Sequence, residues 1–169
     1  MAYEDILRDF AVFVDGKGYA GEGEECKLPE IKLVVEELEA GGLAAGIDVP
    51  MGRVEKLTSE FTLARFDSTV LRAFKVVDGQ TLPFVVRGSL ASQDGTTKPA
   101  VATMTGLIVE HKHGDMKPGK KAGSTIKLSL RYYKLEVDGQ SIIEIDPINK
   151  IIMVDGEDQL AEMRAHLGM

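Results

Sequence analysis

The chain has 169 residues, 28% of them charged, with a formal net charge of −7 and one cysteine. That length suits one domain, residues 1–169, with a real core, and a hydrophobic content of 44% excludes wholesale disorder. The acidic balance excludes a surface built to grip nucleic acid, which needs clustered cations to displace counterions. The single thiol excludes an internal disulfide and a cysteine zinc site.

The first seven residues carry no basic run followed by an apolar stretch, so no signal peptide is expected, and no apolar run approaches a membrane span. The expectation is a chain made in the cytoplasm and soluble there. Residues 10–14 read as a strand and Asp15-Gly16 as its hairpin turn. Gly16, Gly18 and Gly21 match a dinucleotide-binding glycine pattern, but that motif needs a helix to open at its end. Here Glu22, Glu24 and Glu25 follow, with acid where a phosphate would lie. The same acids should raise the thiol pKa of Cys26 and dull its reactivity. Cys26 is either a spare thiol or one half of an intermolecular disulfide.

Ile31, Leu33 and Val35 alternate with charged residues, which predicts a half-buried strand. Residues 38–52 are too glycine-rich for a helix yet carry Leu43, Ile47, Val49 and Met51. Long structureless loops are uncommon in compact domains. This one either folds over its own core or crosses to a neighbouring subunit that covers its apolar side chains. Leu57, Phe61 and Leu63 predict the next strand. Asp67 or Ser68 caps a short helix whose Val70, Leu71, Phe74 and Val77 form one stripe. Leu82, Phe84, Val86 and Leu90 predict a strand. In residues 100–112, Ala100, Ala102, Met104 and Ile108 oppose Val101, Thr103, Thr105, Leu107 and Val109. Residues 114–123 are a loop.

The longest signal is residues 124–152. Ile126, Leu128, Leu130 and Tyr132 share one face, and Thr125, Lys127, Ser129 and Arg131 the other. At Tyr132-Tyr133 the phase flips to Leu135 and Val137, the mark of a bulge or of a strand changing sheets. Asp138-Gly139 turns the chain into a return arm, residues 141–145. A closing helix is predicted from about residue 157 to 167, with Leu160, Met163 and Leu167 inward and Gly168 as its cap.

Little here points to catalysis. His111 and His113 with Asp115 could share a metal, which would make this a small soluble β-barrel binding protein or metal enzyme, but Lys112 and Gly114 weaken that reading. Glu36-Glu37 has no apolar pocket to raise one pKa for acid–base work. Surplus pairing surface is plainer. Residues 81–92, 98–112 and 125–137 make strands longer than the usual five or six, and Asp-Gly turns occur at five places. Such strands leave unguarded edges in a monomer, and a closed multi-subunit sheet would remove them and make the polar face a wall. The fold class expected is mainly β with two short flanking α-helices. It is an antiparallel sandwich or partial barrel whose long strands join those of neighbours in a closed ring.

One set of residues runs Tyr132-Tyr-Lys-Leu-Glu-Val-Asp-Gly139, Ile143-Glu-Ile-Asp-Pro147, Asp158-Gln-Leu-Ala161, Met163-Arg164 and Leu167-Gly168. A second, ahead of it, runs Phe13-Val-Asp-Gly16, Tyr19-Ala-Gly21, Leu28-Pro29, Ala40-Gly-Gly-Leu43, Ile47-Asp48, Met51-Gly52 and Val101-Ala-Thr103. In this order they resemble the major tail tube proteins of P2-like contractile phages and of the R-type bacteriocins derived from such tails. The resemblance implies a structural subunit, not an enzyme, with no cofactor, in the inner tube of a virion tail and made in a bacterial host. It implies six copies per ring and rings stacked into a hollow tube inside a sheath. The partners implied are other copies, the tail sheath protein, baseplate and tail terminator proteins, and a tape measure protein in the lumen. DNA is implied only in transient, non-specific passage. The resemblance places Gly41, Gly42, Leu43, Ile47, Val49 and Met51 in a loop between subunits or rings. It places Asp158, Glu162 and Arg164 on an outer helix facing the sheath. Strand phase then nominates Thr58, Glu60, Thr62, Thr103, Thr105, Lys127, Ser129 and Arg131 for the lumen wall. Phage and DNA-free bacteriocin both fit, as does a secretion-system tube protein of the same architecture.

Overall fold

The computed structural model describes residues 3–19, 22–74 and 79–169, and its backbone is mostly antiparallel strand. β1 (Ile6–Val14) turns at Asp15 and Gly16 into β2 (Lys17–Gly18). Both turn residues have positive φ, 48° and 79°, which Asp and Gly tolerate best. β3 (Gly23–Lys27) comes next, so a strand stands where a dinucleotide site needs a helix. β4 (Leu33–Leu38) and β5 (Ile47–Val54) form a separate two-stranded sheet. β6 (Thr58–Leu63), α1 (Ser68–Arg72), β7 (Leu82–Ala91), β8 (Thr97–His113) and β9 (Ser124–Val137) follow. The chain closes with β10 (Gln140–Asp146), β11 (Ile151–Val154), β12 (Glu157–Asp158) and α2 (Ala161–His166).

The large sheet runs β12-β11-β10-β9-β8-β7-β1-β2, with β6 on β9 and β3 on β6. β9 is its pivot. One edge of β9 pairs with β8 along nearly its whole length. The other edge pairs first with β6, from Ser124↔Leu63 to Ser129↔Thr58, then with β10, from Tyr133↔Ile145 to Val137↔Gln140. The handover sits at a bulge: Gly106 faces Leu130, Thr105 faces Tyr132, and Arg131 has no partner across from it. The phase change read from the sequence is therefore real but falls one residue earlier. Leu130 and Tyr133 are buried, while Tyr132 lies on the other face, where its hydroxyl donates to Glu144 Oε1 at 2.9 Å. Tyr132 thus leaves the Ile126, Leu128, Leu130 set. A second bulge makes Val109 the extra residue of β8, and Val109 is exposed.

Alternation supplies the core. Val12, Phe61, Leu63, Phe84, Met104, Ile126, Leu128 and Ile145 are all nearly inaccessible. The Phe61 and Phe84 rings, from β6 and β7, meet at 5.8 Å between centroids, an aromatic pair at the separation such pairs prefer. Those strands are far apart in sheet order, so the sheet curls on itself. β3 comes close to β1: a Cβ at Gly23 would stand 3.3 Å from the Phe10 ring. The result is a partial barrel around one core.

Three expectations need correction. The stripe on α1 reduces to Val70, because the helix is five residues long and Leu71 and Phe74 are exposed. Val77 and Asp78 lie outside the described residues. The closing helix begins at Ala161, not near 157. Asp155 and Gly156, at φ 50° and 81°, make a hairpin turn into β12 instead, and Met163 and Leu167 are exposed, leaving Leu160 as the buried anchor. Finally, the strand over Leu33 and Val35 exists but is exposed, because only β5 pairs with it.

Asp67 caps α1. Its Oδ1 accepts from Thr69 N at 2.6 Å and Val70 N at 3.3 Å, and Lys17 Nζ lies 3.4 Å from Oδ2. Burial would raise this carboxyl's pKa, but hydrogen bonds from Thr69, Val70 and Lys17 outweigh it and hold it below the ordinary value. A depressed folded pKa means the stabilisation is complete above the unfolded pKa and is lost as pH falls through the folded one. Asp67→Ala is expected to lower stability by about 1 kcal/mol at neutral pH. The gap from the parent should narrow below about pH 4, as urea melts at several pH values would show.

Candidate functional site

The face of the sheet turned away from the core is polar and in register. On β6, Thr58, Glu60 and Thr62 alternate with buried Ser59, Phe61 and Leu63. Across the ladder Thr58 faces Ser129, Glu60 faces Lys127 and Thr62 faces Thr125. The Thr62 and Thr125 hydroxyls lie 3.3 Å apart. The structure therefore gathers five of the eight wall candidates, Thr58, Glu60, Thr62, Lys127 and Ser129, into one patch. Thr103 and Thr105 share the same face further along, opposite Lys134 and Tyr132. Arg131, as the extra residue of the bulge, stands out of the row and borders a surface hollow with Thr105, Tyr132 and Asp146.

Register also shows what strand phase missed. One row across four strands reads Lys27, Glu60, Lys127, Glu110, and Lys27 Nζ lies 3.1 Å from Glu60 Oε1. A parallel row carries Glu144, Lys134 and Thr103, with Lys134 3.1 Å from Glu136. Opposite charges placed across strands attract. Single-strand alternation cannot reveal this; the partners must be known. Tyr132 belongs here too, its pKa pushed up to about 12 by burial and by the Glu144 carboxylate.

The segment read as a loop is an arm. Ile47, Val49 and Met51 lie in β5, paired with β4 through Leu38↔Ile47, Glu36↔Val49 and Val35↔Pro50. Only Gly41, Gly42 and Leu43 belong to the connection at its tip. Alternation of Ile47, Val49 and Met51 was present in the sequence, but Pro50 and the glycines masked it. Pro50 is tolerated because β5 has one partner and a free edge. Leu33, Val35, Leu38, Leu43 and Ile47 are exposed along the arm, on both of its faces. At its base Gly52, at φ 67°, passes beside α2, where a Cβ would stand 3.2 Å from Met163 Sδ.

Near the arm's root the partial barrel has an apolar mouth of about 130 Å³ lined by Leu7, Phe10, Cys26, Leu28, Val86 and Leu135. Of the outer-helix candidates, Glu162 and Arg164 lie on α2, whereas Asp158 lies in β12. Asp158 accepts from Leu160 N at 3.0 Å and pairs with Arg164, whose Nη1 is 3.1 Å away, and so ties the helix start down. His111 and His113 come together, rings 4.4 Å apart and His113 stacked on Phe66. Asp115 pairs with Lys117 instead. Among the described residues no three potential ligands cluster. Burial, then His113, lowers the His111 pKa, and its ring nitrogens have no partner.

A curled antiparallel sheet with a registered polar face and an apolar arm defines a strand-built structural protein. A family model described as phage tail tube protein FII matches residues 4–168, and the chain belongs to that family. It is 29% identical over 172 residues to the tail tube protein of Escherichia phage P2, covering all of both chains. It is 29% identical over 170 residues to the major tail tube protein of Serratia phage KSP20, covering 94% of this chain and 92% of the other. The fold recurs, at 12% identity and a TM-score of 0.59, in a chain of the sheath–tube complex of PVC, an extracellular contractile injection system in its extended state; 79% of this chain and 92% of that one are covered. It recurs at the same identity and TM-score in the cap that terminates the tube of the anti-feeding prophage, over 80% and 93% of the two chains. This is a structural protein of the virion's tail tube, not an enzyme.

Cys26 faces the apolar mouth, and burial pushes its pKa up to about 11. The acids before it, invoked from the sequence, are not the cause. Since the thiolate is the nucleophile, Cys26 in the folded chain is expected to react with iodoacetamide at pH 8 on the order of a hundredfold more slowly than in urea. Equal rates would show the mouth to be open to solvent.

Proposed function

We propose that six copies of this chain close into a ring and that rings stack into a hollow tube inside a contractile sheath. The observation that carries this is the overhang of β8. β7 pairs with β8 only as far as Leu82↔Gly106, so residues 107–113 have β9 on one edge and, among the described residues, no strand on the other. A stretch of seven residues of open edge invites a strand from elsewhere, and ring closure satisfies every such edge at once.

The polar face then becomes the lumen wall. Lys27, Arg87, Lys112, Lys127, Arg131 and Lys134 are interleaved there with Glu25, Glu60, Glu110, Glu136, Glu144 and Asp146. A duplex sliding past finds no cationic track to condense on, because binding needs a net release of counterions. The same neutral, hydroxyl-rich wall serves a phage that conducts DNA and a bacteriocin that only punctures. The arm, with Gly41, Gly42, Leu43, Ile47, Val49 and Met51, bridges copies, and α2 with Glu162 and Arg164 turns outward to the sheath. Chains of this fold occur in structures named for a sheath–tube complex, a sheath/tube terminator and a baseplate, and those are the partners assigned here. A tape measure protein fills the lumen until the tail is complete.

Negative-stain microscopy of the purified chain at high concentration should show rings or hollow tubes; a chain that stays monomeric at every concentration would count against the reading. Glu60→Lys, which turns one alternating row into three adjacent lysines, is expected to leave tube assembly intact and to slow genome ejection from tails that carry it. Ejection at the parental rate would remove Glu60 from the wall.

A further inference from the structure

The charges of this chain are sorted by position along the molecule. Residues 33–54, the arm, hold Glu36, Glu37, Glu39 and Asp48 against Arg53, a net charge of −3. Residues 114–123, the loop between β8 and β9, hold Lys117, Lys120 and Lys121 against Asp115, a net charge of +2. The two lie at opposite ends of the β6–β9 ribbon. The loop closes on Ser124, where Gly114 N donates to Gly123 O at 2.7 Å. The arm leaves beyond Thr58, opposite Ser129, with its base against α2. Six residues of β6 separate the two levels, about 20 Å at strand rise.

The arm also contains an arrangement that is unfavourable alone. Glu37 stands directly opposite Asp48 across the β4–β5 ladder. Both are exposed, and among the described residues neither forms an ion pair. Like charges across an antiparallel pair repel, and a two-stranded sheet is already marginal. A cation from outside would turn that repulsion into attraction. The loop offers cations ready to move: Lys120 has no ion pair among the described residues, while Lys117 and Lys121 have only solvent-exposed partners, Asp115 and Glu24. Next to Lys117, Met116 is 88% exposed, and exposed Val35, on the same face of the arm as Glu37 and Asp48, supplies apolar surface to receive it.

We propose that the acidic arm of one copy docks on the lysine loop of a copy in the adjacent ring, the Glu37–Asp48 pair being neutralised by Lys117 and Lys120. The interface is heterologous, one end of the molecule fitting the other, and such interfaces propagate open filaments. It gives the tube a direction and makes its growth depend on salt. The inference rests on the tube reading above and assigns the contact that stacks the rings.

The test uses the purified full-length chain alone, with native mass spectrometry reading ring formation and negative-stain microscopy reading tube length. Wild-type tubes should shorten as salt is raised toward about 1 M, where screening reaches about 3 Å. The Glu37→Lys, Asp48→Lys double variant should still form rings, with tubes about tenfold shorter or absent, since opposed like charges cost several kcal/mol. Lys117→Glu with Lys120→Glu should do the same, and all four reversals in one chain should restore length. Glu37→Gln with Asp48→Asn removes the internal repulsion without adding a charge, and keeps the test open if the lysine variant misfolds. It should melt no lower than the parent and still give shorter tubes. Tubes of parental length from the neutral or the reversed arm, or no recovery in the four-fold variant, overturn the proposal. So does loss of rings in a variant that melts like the parent, which would place the contact within a ring. A wild-type chain that forms no rings at all removes the tube reading itself.

Discussion

The pairing of β9 with three partners is the constraint on which the rest depends. One long edge of β9 is committed to β8, and its other edge is divided between β6 and β10, with the division made at a single extra residue, Arg131. A bulge both bends a strand and re-aims its side chains. Here it lets Ile126, Leu128 and Leu130 face the core on one side of the break and Tyr133 on the other. Without it, every side chain beyond Leu130 would change faces, burying Lys134 and Glu136 and exposing Tyr133. Gly106 opposite the bulge is part of the same device. A Cβ there would stand 3.0 Å from Leu130 Cα, against backbone that cannot give way.

The separation of faces made by that pairing accounts for the electrostatics. Each polar residue on the outer face is held at strand spacing by a buried neighbour, so the cation–carboxylate alternation from Lys27 to Glu110 is fixed by packing, not by the weak pairs themselves. Exposed ion pairs contribute little to stability. Their importance lies in the pattern they present, cations alternating with carboxylates on this face although the chain as a whole carries −7. The excess negative charge is carried elsewhere, much of it on the arm.

Much of the fold is legible in the sequence because strand periodicity is a local property. The long strands, the Asp-Gly turns at Asp15, Asp138 and Asp155, the cap at Asp67 and the existence of a phase change near Tyr132 all follow from residues close together in the chain. What does not follow is anything set by a partner. The bulge position depends on where Gly106 and Leu130 meet. The arm hides because Pro50 and Gly46 argue against strand, while Val35, Glu36 and Leu38, which make it one, lie nine or more residues from their partners. α2 starts late because Asp158 is held in β12 by Met153 and by Arg164 across the helix start. Seven of the eight residues nominated by strand phase lie on the polar face, Arg131 in the bulge being the exception, yet the rows they form, and the membership of Lys27, Lys134 and Glu144, required register.

Stability and function are separated along the chain for a physical reason. The partial barrel holds a contiguous apolar core, whereas the arm adds two strands that bury almost nothing of their own and oppose Glu37 to Asp48. An isolated hairpin of that kind is held by few interactions beyond its ladder and its anchor on α2. Leu33, Val35, Leu38 and Ile47 are therefore left exposed, and the Glu37 and Asp48 carboxylates stay unpaired among the described residues. If the arm bridges copies as proposed, the weakest element lies where copies meet, and association supplies the ordering that the monomer lacks.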